Sequence, residues 1–126
     1  MKDIETRADI ELLVHEFYTK ALINPLLEPI FTKAKLDLKH HIPHISNFWE
    51  SVLLENYVFE GNPMSAHIML SKKIEMNKLH FDQWLQLFHA TINKYFKGEI
   101  ANKAIERSTT MGQLMLFKIE QHAKAK

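Results

Sequence analysis

The sequence contains no cysteine, which excludes disulfides, thiolate nucleophiles, iron–sulfur clusters and thiolate-bound metal. Glycine and proline are scarce, three and four residues respectively, so there is little material for the many tight turns of an all-β fold. No sign of charge dominates. Sixteen lysines and arginines stand against fifteen acids, and no basic run is dense enough to track phosphates, so no nucleic-acid partner is expected. No hydrophobic run is long enough to cross a bilayer, and Met-Lys-Asp-Ile-Glu-Thr-Arg at the start lacks the apolar core of a signal peptide. A cytoplasmic protein with no membrane partner is therefore expected. Glycine-rich phosphate loops, G-x-S-x-G and H-E-x-x-H are also missing.

What remains is 126 residues with 46% hydrophobic and 25% charged side chains, the profile of a single globular domain over residues 1–126. The one compositional excess is histidine, with eight. Apolar residues recur at helical spacing along most of the chain, so the class is all-α. Thr6 and Asp9 have the spacing of a capping box, and Ile10, Leu13, Val14, Phe17, Ala21 and Leu22 then predict a helix to about Ile23. Asn24-Pro25 ends it. Leu26, Leu27, Ile30 and Phe31 around Pro29 read as an apolar corner with Phe31 turned inward, and residues 33 to 39 as a polar connection.

The next helix carries Leu38, Ile42, Ile45, Trp49, Val52 and Leu53. An interior proline costs about 3 kcal/mol, so Pro43 predicts a helix start near His40 or His41. His41 shares a face with Ile45 and Phe48. A short helix should open at Asn62-Pro63, a favourable N-cap and first-turn pair, and carry His67 among Met64, Ile68, Met69 and Leu70. A long helix follows with Phe81, Trp84, Leu85, Phe88, Ile92 and Tyr95. A last one from about Glu99 carries Ile100, Ala104, Ser108, Met111, Met115 and Ile119. Gly112 inside it costs about 1 kcal/mol relative to alanine and predicts a close helix contact.

An imidazole in the setting of His67 is commonly a core residue, but it is also how one axial ligand reaches an iron in an apolar cavity. His40-x-x-x-His44 has metal-ligand spacing, although the paired Glu-x-x-His motifs of a di-iron bundle do not recur. Taken together, Phe17-Tyr18, the segment His41 to Trp49 with Asn47-Phe48-Trp49, Gly61-Asn62-Pro63 leading to His67, and Trp84-Leu85-Gln86-Leu87-Phe88 resemble the group III truncated haemoglobins. The resemblance covers nearly the whole chain, and the shortage of glycine agrees with that group, which lacks the paired-glycine motifs of other truncated globins.

The resemblance implies a two-over-two helical sandwich around haem b, iron protoporphyrin IX. His67 resembles the proximal ligand and sole metal-binding residue, Tyr18 and Trp84 the distal hydrogen-bond donors, and His41 the distal histidine at the cavity entrance. Phe31 resembles the phenylalanine on the haem face, with Ile45 and Trp49 as pocket wall. The expected ligands are oxygen, nitric oxide and carbon monoxide, or cyanide. Donors fixed in a dry pocket would stabilise negative charge on a bound gas. Two alternatives stand beside reversible gas binding: a nitric oxide dioxygenase or peroxidase-type enzyme supplied by an external reductase, and a haem-free helical interaction module.

Overall fold

The computed structural model describes residues 1–124 and contains six helices. The last two residues of the expected domain lie outside the described ones. Helix α1 spans Arg7–Ala21, α2 Glu28–Ala34, α3 Leu38–Leu54, α4 Pro63–Ser71, α5 Lys78–Tyr95 and α6 Glu99–Lys124. None of them is long and apolar enough to cross a membrane.

Local chemistry sets most of these boundaries. At α1 the capping box closes as the spacing predicts, with Thr6 and Asp9 each accepting from the other's backbone N–H. After α1 the Asn24 carboxamide oxygen accepts from the N–H groups of Leu26 and Leu27, at 3.0 and 3.1 Å, and turns the chain. Asn62 caps α4 by accepting from the Ser65 N–H at 3.1 Å, with Pro63 in the first turn.

Two expectations require correction. The corner at residues 26–31 runs on into α2, with Pro29 in its first turn and Lys35 ending it in the left-handed region at φ +53°. Seven residues are too few for an apolar period to show in the sequence. Second, α3 begins at Leu38, not at His40 or His41, because the Asp37 carboxylate accepts from the Lys39 N–H at 3.1 Å. Pro43 therefore lies inside the helix. The carbonyl deprived of an N–H partner belongs to Lys39, and both Lys39 and Pro43 face solvent, where water can take the missing bond.

Helices α1 and α3 form one pair and α5 and α6 the other. Helix α1 also packs on α5, and α4 lies against α6. This is the two-over-two arrangement. Phe17 on α1 stands at the crossing, edge-on to Trp84 at 5.2 Å and to Phe88 at 5.5 Å. Phe88 is itself stacked between Trp49 of α3 and Trp84 of α5, each centroid 4.9 Å away. Aromatic pairs at such distances contribute about 0.5–1.5 kcal/mol each beyond their buried area. They tie three helices to one layer.

The residues ahead of α1 are part of this frame. Gly98 precedes α6 with φ +148° and has no side chain to cap it. The Asp3 carboxylate does so instead, accepting from the N–H groups of Ile100 and Ala101 at 2.9 and 2.8 Å. A Cβ at residue 98 would lie 2.5 Å from Asp3 Cγ, so glycine is required by space as well as by φ.

Gly112 does mark a close contact. An added Cβ there would sit 3.3 Å from Leu85 Cδ1, where α6 crosses α5.

Candidate functional site

Helices α2 and α4 bury no residue at all. For α4 this is informative, because Met64, Ala66, Ile68, Met69 and Leu70 make it strongly apolar. Its inner face looks instead into a cleft bounded by α1, α2 and α3 on one side and α4, α5 and α6 on the other. The cleft has an accessible cavity of about 200 Å³ and a mouth open to solvent, and its walls are almost wholly apolar or aromatic.

All the residues singled out from the sequence line this one space: Tyr18, Phe31, His41, Ile45, Trp49, His67 and Trp84. Tyr18, Trp49 and Trp84 are carried on α1, α3 and α5, in ring contact with Phe17 or Phe88 and so fixed by the core. Phe31 comes from the short α2 and packs against Tyr18 at 5.9 Å.

Although Pro43 lies inside α3, His41 reaches the cleft, its Nε2 2.6 Å from the Tyr18 hydroxyl and the two rings perpendicular. Burial drives the His41 pKa down to about 4, helped by the charges of His44 and His67, so the ring is neutral at pH 7. Burial also pushes the Tyr18 phenol well above its ordinary value and keeps it protonated. The Tyr18 O–H therefore donates and His41 Nε2 accepts. Trp84 faces the cleft with an indole N–H that makes no hydrogen bond to the described residues.

His67 is held differently. Its Nδ1 lies 2.7 Å from the Pro63 carbonyl oxygen one turn earlier. A carbonyl only accepts, so in the neutral ring Nδ1 carries the proton and Nε2 keeps its lone pair. The backbone partner thus sets a tautomer whose Nε2 could bind a metal. No carboxylate among the described residues hydrogen-bonds to it.

The other metal pattern, His40 and His44, separates in space. His40 lies 3.6 Å from Asp37, and His44 packs on Phe59 at 4.6 Å. Several lining residues carried no sequence signal, notably His80, Phe81, Met76 and the α6 row of Ser108, Met111 and Met115. Phe81 and the α6 row have the helical spacing of ordinary core residues, and Met76 lies in the connection before α5, so only the folded arrangement places them at the cleft.

No protein-family model matches the chain. It is 30% identical over 120 residues to the group 3 truncated hemoglobin ctb of Campylobacter jejuni, an alignment covering 90% of this chain and 92% of that one. The chain belongs to the group III truncated haemoglobins. The crystal structure of the group III truncated hemoglobin from C. jejuni superposes on this globin with a TM-score of 0.84 at 27% identity, over 94% of this chain and 95% of that chain. The Chlamydomonas reinhardtii THB1 structure shares the globin fold, with a TM-score of 0.69 at 22% identity over 88% and 89% of the two chains. The two-over-two sandwich of this globin is thus the architecture of its relatives, with the cleft between the layers.

Proposed function

We propose that this globin, as one domain over residues 1–126, holds haem b in the cleft through His67 and binds oxygen and other diatomic gases at the opposite face. The observation that carries the reading is the His67 ring. Its Nδ1–H donates to the Pro63 carbonyl, which leaves the Nε2 lone pair free beside an apolar slot that Pro63, His67 and Leu70 of α4 border. A flat apolar disc with a metal at its centre fits that slot.

Haem b supplies an iron that takes one protein ligand and one small gas. The residues of this chain do the rest. His67 would hold the iron through Nε2 as its one protein ligand, leaving the haem able to take a gas. Phe31, Ile45 and Trp49 exclude water from the ring's surroundings. Tyr18 and Trp84 supply O–H and N–H donors that stabilise negative charge on a bound gas in low dielectric. His41 accepts from Tyr18 and holds the phenol against the wall of the cleft.

The carbonyl partner of His67 bears on the kind of chemistry. A carboxylate there would raise the basicity of the ring and favour peroxide cleavage, whereas a carbonyl does so weakly. This favours gas binding over peroxidase turnover.

The test is spectroscopic. The purified globin supplied with haem is expected to show a Soret band and, in the ferrous form, an iron–imidazole stretch in resonance Raman. His67→Ala should lose that stretch while still folding. A wild-type protein that takes up no haem, or an iron–imidazole stretch that survives in His67→Ala, would defeat the proposal.

A further inference from the structure

His80 lines the same cleft as His67, but the backbone fixes it in the opposite tautomer. It is the third residue of α5 and completes that helix's cap, its Nδ1 accepting from the Asn77 N–H at 3.0 Å. A nitrogen that accepts carries no proton, so the neutral ring has its hydrogen on Nε2. His67 thus offers a lone pair to the cleft, and His80 offers an N–H. His80 Nε2 has no hydrogen-bond partner among the described residues, and the side chain is half-buried.

The rest of the lining makes this donor distinctive. No lysine, arginine, aspartate or glutamate among the described residues borders the cleft. Its imidazoles are the three of His41, His67 and His80. His41 Nε2 is engaged by Tyr18, and His67 Nε2 is the metal-facing lone pair. An anion brought into this apolar space therefore has one imidazole N–H left to meet. A protonated Nε2 cannot ligate iron, so a role as second axial ligand does not suit His80.

We propose that His80 Nε2–H binds a carboxylate of the tetrapyrrole's own acidic side chains and so fixes the cofactor's rotational setting and slows its loss. The inference rests on the haem reading above and names a binding residue for it. A hydrogen bond to an ionised carboxylate is stronger than one between neutral groups, and partial exposure reduces it.

The test uses the full-length holoprotein and transfer of ferric haem to an excess of a scavenging apoglobin. The informative variant is His80→Glu, because glutamate at the third helical position sustains the cap while replacing the donor with a repelling carboxylate. His80→Glu is expected to lose haem about tenfold faster than wild type, and His80→Gln, which keeps an N–H donor, about two- to threefold faster. With haem dimethyl ester, which has no free carboxylate, wild type and His80→Glu should release at the same rate. Equal release of ordinary haem from wild type and His80→Glu would overturn the proposal. So would a tenfold acceleration that persists with the dimethyl ester, since that is a packing effect. A wild-type protein that takes up neither haem would bring down the haem reading as well, which separates the two failures.

Discussion

At Tyr18 a single hydroxyl proton is held by the Nε2 of His41, 2.6 Å away, and under the proposed function a bound gas would compete for it. The competition gives opposite signs for two substitutions. Tyr18→Phe removes the donor and should speed oxygen release at least tenfold in stopped-flow displacement by carbon monoxide, given about 1.5 kcal/mol for a charge-assisted bond. His41→Leu removes the competing acceptor, freeing the proton for the gas, and should slow release in the same experiment. Unchanged rates in both variants would mean that Tyr18 never faces the ligand.

His41 also makes stability depend on pH. Its pKa falls from an ordinary 6.5 when unfolded to about 4 when folded, because burial disfavours the charged ring. The folded state then binds fewer protons between those values, so stability is complete above about pH 6.5 and is lost as the pH falls toward 4. Solvent reaches part of the ring, so the loss is about 1–2 kcal/mol. Thermal melts of the apoprotein from pH 7 to 4 should show it, and His41→Leu should flatten that part of the profile. Helical spacing puts His41 and Trp84 on inward faces and Tyr18 at the edge of the α1 stripe, beside Phe17. It could not show that His41 pairs with Tyr18, because the bond joins residues 23 positions apart on different helices. His80 was equally hidden, since in sequence it is only one more polar residue in a helix's first turn.

Among the elements, the long helices were legible because each carries several apolar residues at a period of 3.6, and the starts of α1 and the short α4 from the caps at Thr6 and Asn62. Helix α2 was not, being two turns long with no side-chain cap. Pro43 misled in the other direction: the usual cost of an interior proline assumes that the freed carbonyl is buried, and that of Lys39 is not. Gly112 shows a local weakness compensated by packing. A larger side chain there meets Leu85, so Gly112→Leu should destabilise the protein by about 1–3 kcal/mol in chemical denaturation, despite leucine's better helix propensity. An unchanged midpoint would mean that α5 and α6 can separate freely at this crossing.

For the molecule as a whole, the contact with the greatest sequence separation described here is Asp3 on the start of α6, joining residues 97 and 98 apart. Burial of the carboxylate is outweighed by the N–H groups of Ile100 and Ala101, and the pKa of Asp3 lies below its ordinary value. Asp3→Ala should cost about 1–2 kcal/mol, the usual value of a lost cap, and lower the melting temperature. A melt identical to wild type would show that the N-terminal strand of chain contributes nothing to α6. This closure was invisible in the sequence, where Asp3 precedes any periodic segment and Gly98 reads only as a helix boundary.

Helix α4 lies against α6 yet buries none of its residues fully, and among the described residues part of its apolar inner face stays open to the cleft. If haem fills that opening, as proposed, ribosomal synthesis alone yields an unfinished object. Where porphyrin supply falls behind translation, this stretch should be the first to exchange its amide hydrogens and the first to be nicked by proteases. The amount of protein that survives in a cell would then report how much porphyrin was at hand when it was made.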